Sequence, residues 1–276
     1  MRINALRFFD VFGRAGFYAL VLFFFVGPLT WLLLASVNAM PGFSWAIPET
    51  FTLENYGELL AEPDLFLWLG NSALLAVGTM IATVVLATLA AYPLSRVPFP
   101  GKTAFMYILL LARVMPITSV IIPIFSIAVV LGFVNRFEGA ILVFTAMQLP
   151  ISVWIMKGFV DSIPVELEES AWLDGCNRLQ GLYRIVFPLM FPGVAVTGLF
   201  AFLAAWSDFL IPLILLRSPN TFPIAMGLFR AFNDLGNVNF GFLTSLAVVY
   251  SLPSILLYVF ARQYLVKGMT AGGVKM

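Results

Sequence analysis

Runs of apolar residues broken by proline, glycine and charge divide the chain into six long segments, near residues 17–37, 66–95, 103–131, 137–160, 189–216 and 241–265. Each is long enough to cross a hydrocarbon layer about 30 Å thick, which takes roughly 20 apolar residues of helix at 1.5 Å rise. Lipid offers no hydrogen bonds, so each peptide N–H and C=O must be satisfied within its own helix. The pattern therefore predicts an all-α, polytopic membrane protein with six transmembrane helices. Pro116, Pro123, Pro150, Pro212 and Pro253 fall inside the predicted spans. Each removes a backbone donor and marks either a packing irregularity or a hinge. No internal repeat is evident, so the inverted-repeat plan of many secondary transporters gains no support.

Charge orients the spans. With the N-terminus inside, eleven of the 15 lysines and arginines lie on cytoplasmic segments, among them Arg2, Arg7, Arg14, Arg96, Lys102 and Lys157. The first external loop, about residues 38–65, holds Glu49, Glu54, Glu58, Glu62 and Asp64 but no lysine or arginine. The excess of basic residues on cytoplasmic loops then places both termini and the 161–188 loop in the cytoplasm. The basic start followed by Phe17–Ser36 is similar to a secretory signal, with Val37-Asn38-Ala39 in the place of a cleavage site. That run exceeds a signal core of about 7–15 residues, so an uncleaved anchor is expected.

Composition narrows the chemistry. Of 276 residues 61% are apolar and 11% charged, against roughly 25% charged in soluble domains. No polar stretch is long enough for a separate soluble catalytic domain. Histidine is absent, which removes the usual zinc sites and histidine triads, and the single Cys176 has no internal disulfide partner. A net charge of +1 suggests neither nucleic acid nor acidic partners. Gly101-Lys102-Thr103 matches the end of a phosphate-binding loop, but Arg96 stands where the first glycine belongs and no strand precedes it. It reads as a basic turn between the second and third spans.

The most informative segment is Ile163–Pro192, the longest internal loop. Pro164 suits a first helical turn, Glu166, Glu168 and Glu169 complement the positive end of the helix dipole, and Gly175 offers a left-handed exit. Leu167, Ser170, Ala171 and Cys176 are expected to form a stripe that docks against a partner. Glu169-Ser170-Ala171, then Gly175, Ile185, Phe187 and Pro188 fit the EAA–x3–G–x9–I–x–L–P motif of ABC importer permeases, with Ser170 for an alanine and Phe187 for a leucine. From about Phe51 onward the chain resembles the carbohydrate branch of that family, the second permease of maltose-type importers. Asn71-Ser72, Ala90-Ala91-Tyr92, Phe99-Pro100-Gly101-Lys102, Met115-Pro116, Trp206-Ser207-Asp208-Phe209 and the tail Gly268–Lys275 carry the likeness. The family commonly has Asn where Ser207 stands.

The resemblance implies a type I ABC importer permease with a coupling helix between the fourth and fifth spans. Residues 1–65 would be an anchor helix and external loop, and 66–276 the transmembrane core with its coupling loop at 161–188. It further implies that Glu166, Glu168, Glu169, Ser170, Ala171, Asp174, Gly175, Ile185 and Pro188 serve coupling to a cytoplasmic ATPase. Partners would be a second permease, two ATPase subunits, an extracytoplasmic sugar-binding protein and the lipid membrane. ATP and Mg would be bound by the ATPases, leaving this chain non-catalytic and without a cofactor or metal. The tail resembles a segment that reaches between two ATPases; a frayed end is the alternative.

Charges within spans are costly and mark functional candidates. Arg113 and Asp208 are two such residues, set about 12 Å apart in depth if both helices are straight. Asn71, Gln148, Trp154 and Trp206 suit sugar hydroxyls and C–H faces, or anchor the membrane interface. Arg113, Gln148, Trp206 and Asp208 are the substrate-path candidates. The external segment Ser218–Asn239 either touches the binding protein or simply connects two spans. The rival reading, a self-sufficient secondary transporter or channel, needs coupling carboxylates or a pore ring, and the spans offer only Asp208.

Overall fold

A computed structural model describes residues 2–273 apart from Ser44, Ala46 and residues 234–237. The helices in chain order are α1 Arg2–Ser36, α2 Glu54–Ala61, α3 Leu65–Arg96, α4 Lys102–Ala112, α5 Ile117–Val130 and α6 Phe137–Asp161. They continue with α7 Glu166–Leu173, α8 Arg178–Leu189, α9 Phe191–Ser207, α10 Leu210–Leu215, α11 Ile224–Asn233 and α12 Phe240–Gly273. Four described helices are long and apolar enough to cross a membrane: Gly16–Ser36 of α1, α3, α6 and Phe240–Tyr264 of α12. Two bent pairs raise the number to as many as six. Phe23, Phe24 and Phe25 of α1 are all exposed, an arrangement suited to lipid or to a partner chain and not to water.

The span expected at 103–131 is not one helix. It breaks over Arg113–Pro116, and α5 leaves α4 at 94°. The cause is local: Pro116 has no N–H for the ladder, and its ring drives Met115 away from helical geometry. Pro116 itself is extended, at φ −65° and ψ 138°. Pro123, Pro150 and Pro253 lie inside continuous helices, so of these prolines only Pro116 ends one. The span expected at 189–216 is also interrupted, at Asp208 and Phe209, and α8 meets α9 at 77°.

The chain parts into two compact units, Met1–Leu65 with Leu228–Leu252, and Phe66–Gly227 with Pro253–Met276. In the first, the buried Asn55 is a hub. Its side-chain Nδ2 donates to Ser36 O at 3.0 Å and Asn38 O at 2.9 Å, and its backbone carbonyl accepts from Ser245 Oγ at 3.3 Å. Tyr56 O–H adds a bond to Ser36 Oγ at 2.8 Å. These bonds replace the water that a polar group loses on burial.

In the second unit, Ala87, Ala91 and Leu94 of α3 pack with Met106, Val153, Met156, Val160, Leu182, Val186 and Met190 as a continuous core. Small residues admit close helix approach there; a Cβ at Gly193 would stand 2.5 Å from the Phe159 ring. The loop after α5 is fixed by Asn135, a non-glycine at φ 58°. Its Oδ1 accepts from Arg217 N at 2.6 Å and Ser218 N at 3.0 Å. Of the tail segment Gly268–Lys275, Val274 and Lys275 lie outside the described residues, as do Gly236 and Asn237 of the 218–239 segment.

Candidate functional site

The two helix breaks open onto one cavity of about 720 Å³. Arg113, Met115 and Pro116 line it from the first break, Gln148 and Phe144 from α6, and Ser207 and Asp208 from the second break. Non-helical backbone within a membrane span is tolerated where it lines a cavity or is buried in protein, and residues at both breaks line this one. Arg113 Nη1 donates to Gln148 Oε1 at 3.1 Å. Asp208 Oδ1 accepts from Ile211 N at 2.8 Å, which stabilises the first turn of α10. Arg113 and Asp208 both line this cavity, each with its own hydrogen-bond partner.

Trp206, expected on the substrate path, is buried, and its ring stacks on Phe202 with centroids 5.5 Å apart. One residue further along a helix is about 100° further round it, so Ser207 faces the cavity where Trp206 does not. Two other sugar-suited side chains are occupied structurally. Asn71 Nδ2 donates to Asn220 O and Phe222 O, both at 3.0 Å, and Trp154 Nε1 donates to Met106 O at 2.9 Å. With Ser72 Oγ accepting from Ile224 N at 2.8 Å, Asn71 ties down the strand of chain that enters α11.

The second site is the loop around α7. Gly175 leaves the helix at φ +90°, where a side chain is strained. Asn177 Oδ1 accepts from Gln180 N and Gln180 Oε1 from Asn177 N, both at 2.9 Å, a reciprocal cap that starts α8. Leu182–Val186 then form a π turn. Glu166, Glu169, Ser170, Asp174, Gly175 and Pro188 are exposed, and Ile185 is half-buried. The expected stripe does not survive: Ala171 is buried, Cys176 is half-buried, and Ser170 Oγ bonds back to Glu166 O at 2.8 Å. Leu167, Leu173 and Leu179 are among the exposed apolar groups, with Leu173 at 89% exposure.

Glu168, expected to serve coupling, is fully buried, with Oε1 2.6 Å from Arg96 Nε and Oε2 accepting from Tyr92 O–H at 2.7 Å. Its partners Tyr92 and Arg96 were not among the expected site residues. The available signal was their i, i+4 spacing at the end of α3, which puts both on one helix face.

Residues 83–271 match the family described as Binding-protein-dependent transport system inner membrane component. The galactooligosaccharides transport system permease protein GanQ of Bacillus subtilis (strain 168) is 32% identical over 257 residues, covering 91% of this chain and 90% of that protein. The trehalose/maltose transport system permease protein MalG of Thermococcus litoralis is 30% identical over 254 residues, covering 90% of this chain and 91% of that one. A chain in the crystal structure of a bacterial ABC transporter involved in the import of the acidic polysaccharide alginate superposes with a TM-score of 0.80 at 22% identity. The match covers 94% of this chain and 98% of that one, and is a likeness of fold.

Proposed function

The chain belongs to the family of binding-protein-dependent transport system inner membrane components, and on that premise we propose that it forms the path for a sugar or oligosaccharide together with a second permease. It is the transmembrane subunit of an ATP-driven importer, served by cytoplasmic ATPases and an extracytoplasmic binding protein. ATP and Mg belong to the ATPase subunits, and this chain moves solute without making or breaking covalent bonds. Its termini and α7 face the cytoplasm, in keeping with the distribution of lysine and arginine.

The supporting observation is the cavity where two interrupted helices meet, within a chain similar over some nine-tenths of its length to named sugar permeases. Sugar hydroxyls need donors and acceptors in fixed directions, and Arg113, Gln148, Ser207 and Asp208 offer both beside apolar walls. The exposed face of α7, with Glu166, Glu169, Asp174 and Leu173, is the seat for an ATPase cleft, so that ATPase closure displaces the helix and alternates access to the cavity. The decisive measurement is uptake by liposomes holding this chain with its partner permease, ATPases and binding protein. Labelled sugar should accumulate only with ATP inside the ATPase compartment; accumulation driven by an ion gradient through this chain on its own would overturn the reading in favour of a secondary transporter.

A further inference from the structure

Glu168 sits on the buried side of α7, where an ionised carboxylate costs several kcal/mol unless both oxygens are met. Both are: Arg96 Nε lies 2.6 Å from Oε1 and the Tyr92 hydroxyl 2.7 Å from Oε2. Arg96 uses a second arm of its fork as well, donating from Nη2 to Ile163 O at 2.9 Å, in the turn that leads into α7. The last turn of α3 therefore holds α7 and its approach at separate points. The end of α6 is attached to the same place, since Ser95 Oγ donates to Asp161 Oδ1 at 2.5 Å and Lys157 pairs with Asp161 at 2.5 Å. An isolated helix of eight residues has no lasting position of its own, so α7 is placed by these contacts together with the packing of Ala171 and of Trp172 against Gly181 and Arg178 of α8.

We propose that Tyr92, Arg96 and Glu168 form a rigid joint through which α7 moves as one body with α3. Displacement of α7 is then delivered to a 32-residue helix and is not absorbed by the loops at either end of α7. The proposal rests on α7 being the ATPase seat. The three are positioning residues, since none lines the cavity between the helix breaks. Buried ion pairs are often no more stabilising than apolar packing of the same volume. What a forked guanidinium and a carboxylate add is direction: they fix distance and angle between two helices in a way that sliding apolar surfaces do not.

Cys176, the single cysteine, lies just beyond α7, so a nitroxide attached there reports on this helix in the full-length chain with no other substitution. In nanodiscs, Glu168→Gln and Arg96→Lys should both increase the mobility of that label. Lysine keeps the charge but cannot reach Glu168 and Ile163 O together, so the Arg96→Lys result separates a directional joint from simple charge neutralisation. In the reconstituted complex both variants should retain ATP hydrolysis while sugar moved per ATP falls by about tenfold, within the usual range of coupling between sites. Wild-type label mobility and wild-type uptake per ATP in Arg96→Lys would overturn the proposal. So would a parallel loss of hydrolysis and uptake at unchanged ratio, the mark of general destabilisation. If a charge variant misfolds, Tyr92→Phe, which removes one hydroxyl, takes its place, and unchanged label mobility there overturns the joint. A wild-type complex that fails to link uptake to ATP would refute the functional reading, whereas the nitroxide measurement judges the joint independently of transport.

Discussion

Gly175 stands at φ +90°, and no heavy atom lies within 4 Å of where its Cβ would be. A substitution there tests backbone conformation and the approach of a partner, with no internal clash to confuse the result. Gly175→Ala should cost about 1 kcal/mol from the left-handed conformation, while Gly175→Asn should cost less because asparagine visits that region more readily. Gly175→Asp should abolish ATPase association while leaving the helical bundle folded. Co-purification of the ATPase subunits and circular dichroism check this, and normal co-purification of the aspartate variant would contradict the assigned seat. The conformation of Gly175 was legible because it is a property of one residue and its neighbours in sequence. The inward turn of Glu168 was not, since its partners Tyr92 and Arg96 are 76 and 72 residues away. On an eight-residue helix, charge alone marks no face as outward when a partly buried cation waits beneath it.

At the scale of elements, hydropathy located the apolar runs to within a few residues but not the breaks within two of them. Apolar composition is blind to whether a helix continues, because a broken span and a straight one need the same lipid-compatible side chains. The distinguishing chemistry is fine-grained. Pro116 follows an exposed stretch, Ala112–Met115, that lines a cavity or meets lipid, whereas Pro150 lies buried within α6. In the second case neighbouring helices hold the ladder together around the missing donor; in the first nothing opposes the bend. Pro116→Ala should therefore restore the lost donor, extend α4 toward α5 and reduce the 94° bend. Arg113 would then turn within a regular helix and lose its place beside Gln148. The expected outcome is a several-fold fall in sugar uptake with the complex still assembled. A spin-label distance between the ends of α4 and α5 would lengthen; an unchanged distance would show that packing, and not Pro116, sets the bend.

For the whole molecule, orientation follows from charge counted over many loops, a sum that single errors in helix boundaries barely disturb. That robustness is why the topology could be argued from sequence when the cavity could not. The cavity depends on where two breaks meet, and no local pattern encodes that meeting. Orientation in turn decides which face of the bundle an ATPase can reach, so it is a condition of everything assigned to α7. Cys176 makes it directly testable, because it is the single cysteine of the chain and sits half-buried at the end of the α7 loop. In intact cells a membrane-impermeant maleimide should leave Cys176 untouched, and permeabilisation should expose it. In a Cys176→Ser background, Ser218→Cys, placed in the segment between α10 and α11, should label in intact cells. The opposite pattern would put α7 on the side of the binding protein, out of reach of any cytoplasmic motor, and the joint between α3 and α7 would have no displacement to transmit.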